Sequence, residues 1–196
     1  DILGHGKTPL KSENITFDHF TDQLINLVDD LNIKKFHLVG FSIGSLIARN
    51  FACRFNERLK TLTLLCSVFQ RSESQQQIVN DRFELSKKSR TLSKQALKRW
   101  FTDDYLKNNP KIYEKITNIL DQNDMQNFLK VYELFVNHKD NEEFHNILSK
   151  TLVITGEGDI GSTPEMSKKL SKVITNSILR IVPRGKHLCS IECPDD

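Results

Sequence analysis

The chain has 196 residues, which suffices for one domain with an inserted lid and a substantial buried core. Its formal net charge is only +3, and its 28 basic and 25 acidic residues are interspersed without a basic stripe or an acidic tail, so we expect no nucleic-acid partner. No apolar run reaches the length of a membrane span, no signal-peptide pattern opens the chain, and the four cysteines lack the spacing of a disulfide framework, so we expect a cytoplasmic protein with no membrane partner.

The first part of the sequence predicts a loop followed by alternating helices and strands. Residues 1–12 carry glycines around His5, a histidine that we interpret as structural. Thr16 is a predicted helix cap, and the helix after it has regularly spaced apolar residues: Phe17, Phe20, Leu24, Leu27, Val28 and Leu31. Residues 36–39 form a predicted buried strand, residues 43–55 a helix, and residues 59–66 a second strand rich in leucine and threonine.

The chain changes character between residues 70 and 149. This stretch is rich in Lys, Asn, Gln and Ser, and its apolar residues recur at helical spacing without a strand pattern. Strand character returns at residues 150–156, Pro164 suits the first turn of a helix that runs to about residue 173, and residues 178–183 form a last strand. The alternation predicts an α/β fold whose core, residues 1–69 and 150–196, holds a parallel sheet covered by helices on both faces. Residues 70–149 would form a helical lid beyond the carboxyl ends of the strands.

Residues 40–44 form a G-x-S-x-G sequence between the first predicted strand and the helix that follows it. Glycines on either side of a serine allow a sharp turn from strand to helix, which forces the serine into a strained conformation with its hydroxyl exposed above the sheet. The motif alone is weak evidence. Its position between a predicted strand and a predicted helix is what predicts that Ser42 is a nucleophile.

A serine hydroxyl needs a base within hydrogen-bond reach, and that base is commonly a histidine held by a carboxylate. Asp159 follows the third predicted strand, and His187 follows the fourth. The chain order serine, aspartate, histidine is the one typical of such a nucleophile turn. Glu157 and, more remotely, Asp124 are alternatives for the acid, but the position of Asp159 after its strand favours it.

Four segments together resemble the alpha/beta-hydrolase superfamily over almost the whole chain. Residues 1–6 are similar to its D-x-R-G-H-G loop, with Leu3 where arginine is usual, and residues 40–44 match its nucleophile turn. Residues 155–159 match its acid loop, and residues 185–187 its histidine loop. Within the superfamily, the Arg-Trp-Phe-Thr sequence of the lid at residues 99–102 resembles 3-oxoadipate enol-lactonases.

This resemblance implies an acyl-transfer mechanism. Ser42 would attack an acyl carbonyl, His187 would take its proton and pass it to the leaving group, and Asp159 would orient His187. The backbone N–H of Ile43 would supply one half of the oxyanion hole. The other half would lie in a loop before Asp1.

The chain opens without Met and its last four residues read as the start of a helix, so we expect a fragment cut at both ends. The resemblance implies that the amino-terminal strands of the sheet are missing. The strand at residues 36–39 would then have one bare edge, and an exposed apolar edge favours pairing with another chain. We therefore expect this polypeptide to fold poorly or to self-associate, with a homo-oligomer as one outcome.

Other residues near these motifs have plainer interpretations. Trp100 and Phe101 are candidates for a substrate-contacting lid, although a role in the lid core is the simpler one. Cys66 is either a site-lining residue or a buried filler. His138 and His145 lie in the lid and are candidates for substrate contact, although a solvated position is the simpler interpretation. Residues 187–193 hold one histidine and two cysteines but no second ligand pair, so we expect no metal site, and no cofactor is implied.

Three functions are compatible with the sequence. The first is a serine hydrolase that cleaves a small-molecule carboxylic ester or lactone in the manner of an enol-lactonase. The second is a hydrolase of carbon–carbon bonds in diketone-type substrates, with the same three residues. The third is a ligand receptor without activity on the same scaffold, because neither fold nor residue pattern proves turnover.

Overall fold

A computed structural model describes residues 1–10, 13–88 and 92–196. Its centre is a parallel sheet in which four strands are neighbours in chain order: β1 (Phe36–Phe41), β2 (Leu59–Leu65), β3 (Lys150–Gly156) and β4 (Ser177–Val182). The register continues across the sheet, because Val39 pairs with Thr63, Thr63 with Leu152, and Leu152 with Ile178. All four predicted strands are confirmed to within a few residues.

Seven of the nine described α-helices lie where the sequence predicted helices, and the two short ones at residues 103–108 and 189–192 were not predicted. The bounds of the nine are α1 (Phe17–Asp30), α2 (Ile43–Arg54), α3 (Glu73–Lys88), α4 (Leu92–Trp100), α5 (Asp103–Asn108), α6 (Pro110–Asp121), α7 (Met125–Val136), α8 (Pro164–Val173) and α9 (Cys189–Glu192). Residues 11–12 of the predicted loop and residues 89–91 of the predicted lid lie outside the described ranges. None of the described helices combines the length and apolar character needed to cross a bilayer.

The main core lies between one face of the sheet and the helices α2 and α8. Its fully buried members come from both helices and from the two central strands: Leu46, Phe51, Leu62, Leu64, Val153 and Leu170. On the opposite face, the side chains of Val39 and Ile178 are 64% and 71% exposed. The prediction that residues 36–39 are a buried strand is therefore wrong for Val39 and also for His37, because α2 covers only the face of β1 that carries Phe36 and Leu38.

Helices α3 to α7 lie between β2 and β3 in the chain, so the described part of residues 70–149 is helical and contains no strand. Helix α7 packs against α3 through the rings of Tyr132 and Phe83, whose centroids are 5.6 Å apart. Beyond α7, residues 138–142 return the chain to the core, where Asp140 and Glu142 bind the buried Arg49 of α2. The helical segment is thus anchored to the helix that follows Ser42. Its standing as a separate lid domain stays a prediction.

Candidate active site

Ser42 lies at the sharp turn between β1 and α2, with φ 55° and ψ −120°. A positive φ is unfavourable for a residue with a side chain, so neighbouring bonds must hold it. The Ser42 N–H donates to the carbonyl of Leu65 at 2.9 Å, and its own carbonyl accepts from the N–H of Ser45 at 2.9 Å. The strain expected from the sequence is therefore present, and the turn is fixed by β2 and by the first turn of α2.

The two glycines of the turn differ in what they make possible. A Cβ atom at Gly40 would lie 2.3 Å from the carbonyl oxygen of Gly44 and 2.7 Å from the Cβ of Ala48, so any side chain there would clash. A Cβ atom at Gly44 would meet no atom of the described chain within 4 Å. The close approach of strand and helix therefore depends on Gly40.

The structure brings Ser42, His187 and Asp159 into one hydrogen-bonded line. Oγ of Ser42 lies 3.0 Å from Nε2 of His187, and Nδ1 of His187 lies 2.7 Å from Oδ2 of Asp159. The second carboxylate oxygen of Asp159 accepts from the N–H groups of Gly161 and Ser162 at 2.8 and 3.0 Å. A carboxylate can only accept, so Nδ1 of His187 donates and Nε2 is left to accept the serine proton.

Asp159 is buried, with only 3% of its surface exposed. Burial raises the pKa of its carboxyl, but the hydrogen bond and charge of His187 and the N–H donors of Ser162 and Gly161 outweigh that effect. The net pKa lies below the ordinary value, so the group that faces His187 is a carboxylate.

The two alternative acids are engaged elsewhere. Oε2 of Glu157 accepts from the N–H of Arg184 at 3.0 Å, and Oδ1 of Asp124 caps α7 by accepting from the N–H of Asn127 at 2.9 Å. The acid loop and the histidine loop touch at Gly156, where a Cβ atom would lie 2.3 Å from the carbonyl oxygens of Gly185 and Lys186. This contact brings Asp159, and not its rivals, beside His187.

A cavity of about 1070 Å³ opens above these residues, between the ends of the strands and the helical segment. Trp100 lines it, with its ring centroid 6.1 Å from that of His187. Phe101, the other lid candidate, is fully buried and stacks on Tyr105, so it belongs to the lid core and does not line the cavity. His5 lines the cavity too, but its Nδ1 atom is bonded within its own loop, 3.2 Å from the carbonyl of Leu3.

Ile43 is the first residue of α2 and lines the same cavity. The N–H groups in the first turn of a helix have no partner within that helix, and the helix dipole makes this end favourable for negative charge. The backbone N–H of Ile43 is thus suitably placed for the role expected of it beside Ser42.

Cys66 is a buried neighbour of these residues and is not part of the hydrogen-bonded line from Ser42 to Asp159. Its thiol donates to the carbonyl of His187 at 3.1 Å. A hydrogen bond with Cys189, together with burial, raises the pKa of Cys66 above its ordinary value. A thiol that stays protonated is a poor nucleophile, so Cys66 acts as a filler that supports the histidine loop.

Among the residues that the structure describes, two groups of side chains bring potential metal ligands close together. In the first, Asp159 and His187 are already bonded to each other, and the thiol of Cys66 is bonded to the chain. In the second, Oδ1 of Asp140 and Oε1 of Glu142 each lie 2.6 Å from the guanidinium of Arg49. The donor atoms of the first group thus have partners within the protein, whereas Nε2 of His138 and Oε2 of Glu142 in the second group are buried without a hydrogen-bond partner among the described residues.

Sequence reasoning missed the importance of Arg49. Its guanidinium is fully buried beside the rings of Phe69 and Phe144, and it binds two carboxylates. Nε2 of His138 lies 3.4 Å from both carboxylates, and only 7% of that side chain is exposed, so the expectation of a solvated His138 is wrong. An arginine on the apolar face of α2 was the available signal, because an unpaired charge is rarely buried.

The alpha/beta hydrolase fold model matches residues 1–194, and the chain belongs to this family of hydrolases. Over 194 residues it is 24% identical to 3-oxoadipate enol-lactonase 2 of Acinetobacter baylyi, a match that covers 99% of this chain and 72% of the relative. It is 23% identical to the (E)-2-((N-methylformamido)methylene)succinate hydrolase of the same organism, covering 100% of this chain and 74% of the relative. The predicted fold class and family resemblance are confirmed.

Solved structures agree with these sequence matches. The enol-lactonase from Burkholderia xenovorans LB400 superposes with a TM-score of 0.88 at 25% identity, covering 100% of this chain and 75% of that one. A meta-cleavage product hydrolase from Pseudomonas fluorescens IP01 shares the fold with a TM-score of 0.79 at 22% identity, covering 100% and 74% of the two chains. The chain thus spans about three quarters of the length of these relatives.

Proposed function

We propose that this protein is a serine hydrolase that cleaves a small carboxylic ester or lactone through an acyl-enzyme on Ser42. The observation that carries the proposal is the continuous line from Ser42 Oγ through His187 to the buried carboxylate of Asp159. Similarity to enol-lactonases supports the same substrate class.

The geometry suggests a role for each group. His187 accepts the proton of Ser42 at Nε2 while Oγ attacks the acyl carbonyl, and Asp159 stabilises the imidazolium that forms. The N–H of Ile43 donates to the oxygen that becomes negative. His187 then gives its proton to the leaving oxygen, which departs as an alcohol or, from a lactone, stays attached as a hydroxyl of the acyl group. Water attacks the acyl-enzyme by the same proton route and regenerates Ser42.

We further propose that the substrate carries a carboxylate besides the bond that is cleaved. Arg82 and Arg99 line the cavity together with Ser42 and His187, and neither forms an ion pair or a hydrogen bond with another described residue. Burial lowers the pKa of Arg99, and the nearby positive charge of Arg82 lowers it further. Two neighbouring cations without an ion-pair partner among the described residues favour an anionic ligand in their part of the cavity. The names of both Acinetobacter relatives contain a dicarboxylic acid, adipate or succinate.

A panel of four substrates tests this function. Its members are p-nitrophenyl butyrate, the p-nitrophenyl monoester of succinate, a carboxylate-bearing enol-lactone and a diketone acid with a scissile carbon–carbon bond. We expect hydrolysis of the esters and the lactone, with kcat/KM higher for the anionic ester than for the neutral one. Preferred cleavage of the diketone would instead identify a carbon–carbon bond hydrolase. Binding of all four without turnover would identify a receptor.

A further inference from the structure

One carboxylate connects the helical segment to the loop that carries His187. Glu192 ends α9, and its Oε1 atom accepts a hydrogen bond from the backbone N–H of Thr102 at 3.0 Å and another from the hydroxyl of the same residue. Its Oε2 atom accepts from the N–H of Lys186 at 3.2 Å. Thr102 caps α5 two residues after Trp100, and Lys186 immediately precedes His187.

Three further hydrogen bonds follow the same seam between α4–α5 and the histidine loop. The N–H of Leu188 donates to the carbonyl of Trp100 at 3.0 Å, and Nζ of Lys186 donates to the carbonyl of Lys98 at 3.0 Å. The hydroxyl of Tyr105 donates to the carbonyl of Ile191 at 3.2 Å. The loop that carries His187 therefore docks directly on the turn that carries Trp100.

We propose that Glu192 is a positioning residue, which holds the Trp100 turn and the His187 loop in one fixed arrangement. The proposal rests on the proposed function, since Glu192 touches no reacting atom and acts through His187. If Glu192 has this role, the 3.0 Å distance between Nε2 of His187 and Oγ of Ser42 depends on the docking of α4 and α5 against the His187 loop. The same carboxylate also keeps the ring of Trp100 beside the imidazole, at the wall of the substrate cavity.

The role requires a charged acceptor with two equivalent oxygens. A carboxylate accepts at both oxygens, and its bonds are stronger than those to a neutral group. Glutamine has nearly the same shape, but only one of its two terminal atoms accepts, and its NH₂ group would face an N–H donor. Glu192→Gln should therefore keep the hydrogen bonds to either Thr102 or Lys186 and lose those to the other.

Trp100 provides a direct measurement of this docking, because it is the one tryptophan of the chain. Quenching of its fluorescence by acrylamide reports how freely solvent reaches the turn. Acrylamide is neutral, so Arg82 and Arg99 will not concentrate it in the cavity. We expect a higher quenching constant in Glu192→Gln than in the unmodified chain. The matched control is Glu157→Gln, whose carboxylate binds the N–H of Arg184 in the same loop but does not reach the helical segment.

Kinetics with p-nitrophenyl butyrate supply the second measurement. A misplaced imidazole lowers kcat, so we expect Glu192→Gln to lose on the order of tenfold or more in kcat with little change in KM. Thr102→Val, which keeps the N–H but lacks the hydroxyl, should shift both measurements in the same direction. Thr102→Ser should restore them, and these two variants decide the question if Glu192→Gln fails to fold.

Two results would overturn the proposal. The first is a folded Glu192→Gln with the quenching constant and kcat of the unmodified chain. The second is a variant that is only less stable, with unchanged kcat per folded molecule. A chain that hydrolyses none of the esters would refute the proposed function. Acrylamide quenching needs no turnover, so it would still measure the effect of Glu192 on the Trp100 turn.

Discussion

Oγ of Ser42 lies 3.0 Å from Nε2 of His187, although 145 positions separate these residues in the chain. The parallel sheet explains their meeting, because Ser42 follows β1 and His187 follows β4, and the carboxyl ends of parallel strands lie at one edge. Asp159 follows β3 at the same edge. The sheet thus positions three loops, and the helices between β2 and β3 close the cavity above them.

Replacing Asp159 should have two separately measurable effects, one on kcat and one on the pH dependence of the free energy of unfolding. Asp159→Asn leaves His187 without its carboxylate, and we expect kcat to fall on the order of 10³-fold or more. The pKa of Asp159 is lower in the folded chain than the unfolded value of about 3.9, so its carboxylate stabilises the fold above about pH 4. That contribution is lost as the pH falls below about 4.

Urea unfolding at pH 6 and pH 3 measures the second effect. The free energy of unfolding should fall less between these pH values in Asp159→Asn than in the unmodified chain. Asp195→Asn, at an exposed position, is the control and should keep the full decrease. Equal decreases in all three proteins would show that Asp159 contributes nothing to the acid sensitivity.

The glycines of the turn provide a matched pair. Gly40→Ala places a methyl group against the Gly44 carbonyl and Ala48, and we expect a loss of about 2 kcal/mol or more in the free energy of unfolding. Gly44→Ala meets open space at the start of α2 and should be neutral or stabilising by about 0.5 kcal/mol. Thermal and urea unfolding of the two variants and of the unmodified chain measures which substitution lowers the free energy of unfolding more. A destabilised Gly44→Ala beside a stable Gly40→Ala would contradict the structure of the turn.

The buried Arg49 should be worth several kcal/mol to the fold. Arg49→Met leaves Asp140 and Glu142 without their cation, and removing one partner from a buried ionic group costs about 3–5 kcal/mol. Combining it with Asp140→Asn and Glu142→Gln removes the unpaired charges and should recover part of the loss. Urea midpoints of the single and triple variants measure this. A single variant as stable as the unmodified chain would exclude a structural role for the cluster.

Substrate charge should determine the effect of the two cavity arginines. Arg82→Gln and Arg99→Gln should each raise KM for the p-nitrophenyl succinate monoester by about tenfold, since a charged hydrogen bond to a carboxylate contributes about 1.5–3 kcal/mol. The neutral butyrate ester should be hydrolysed as before. Arg54→Gln, on the exposed side of α2, is the control. Equal losses on both esters would show that the arginines maintain the lid and do not select the anion.

Much of the fold and site could be predicted because the signals are local. Ser42, Asp159 and His187 each follow a strand whose apolar pattern is visible over a few residues, and their chain order narrows the interpretation further. Apolar periodicity likewise located four of the five described helices between β2 and β3, all except the short α5. The bounds of β1 to β4 differ from the predictions by only a residue or two.

The remainder depends on contacts between distant positions, which periodicity does not report. Arg49 binds Asp140 across 91 positions, and Thr102 binds Glu192 across 90. Phe101 and Trp100 are adjacent in the chain, yet only Trp100 faces the cavity, because the side chain of Phe101 stacks in the lid core. Val39 is exposed because α2 covers only the opposite face of β1, and a strand pattern does not reveal which face a helix covers.

The central claim is that Ser42 is a nucleophile activated by His187. Its most direct test is intact-mass and peptide spectrometry after incubation with a fluorophosphonate, which reacts with activated serines. We predict one adduct per chain, located on Ser42, absent in Ser42→Ala and strongly slowed in His187→Gln, while both variants keep the melting behaviour of the unmodified chain. A folded chain with no adduct, or an adduct on another residue that persists in Ser42→Ala, would contradict the claim.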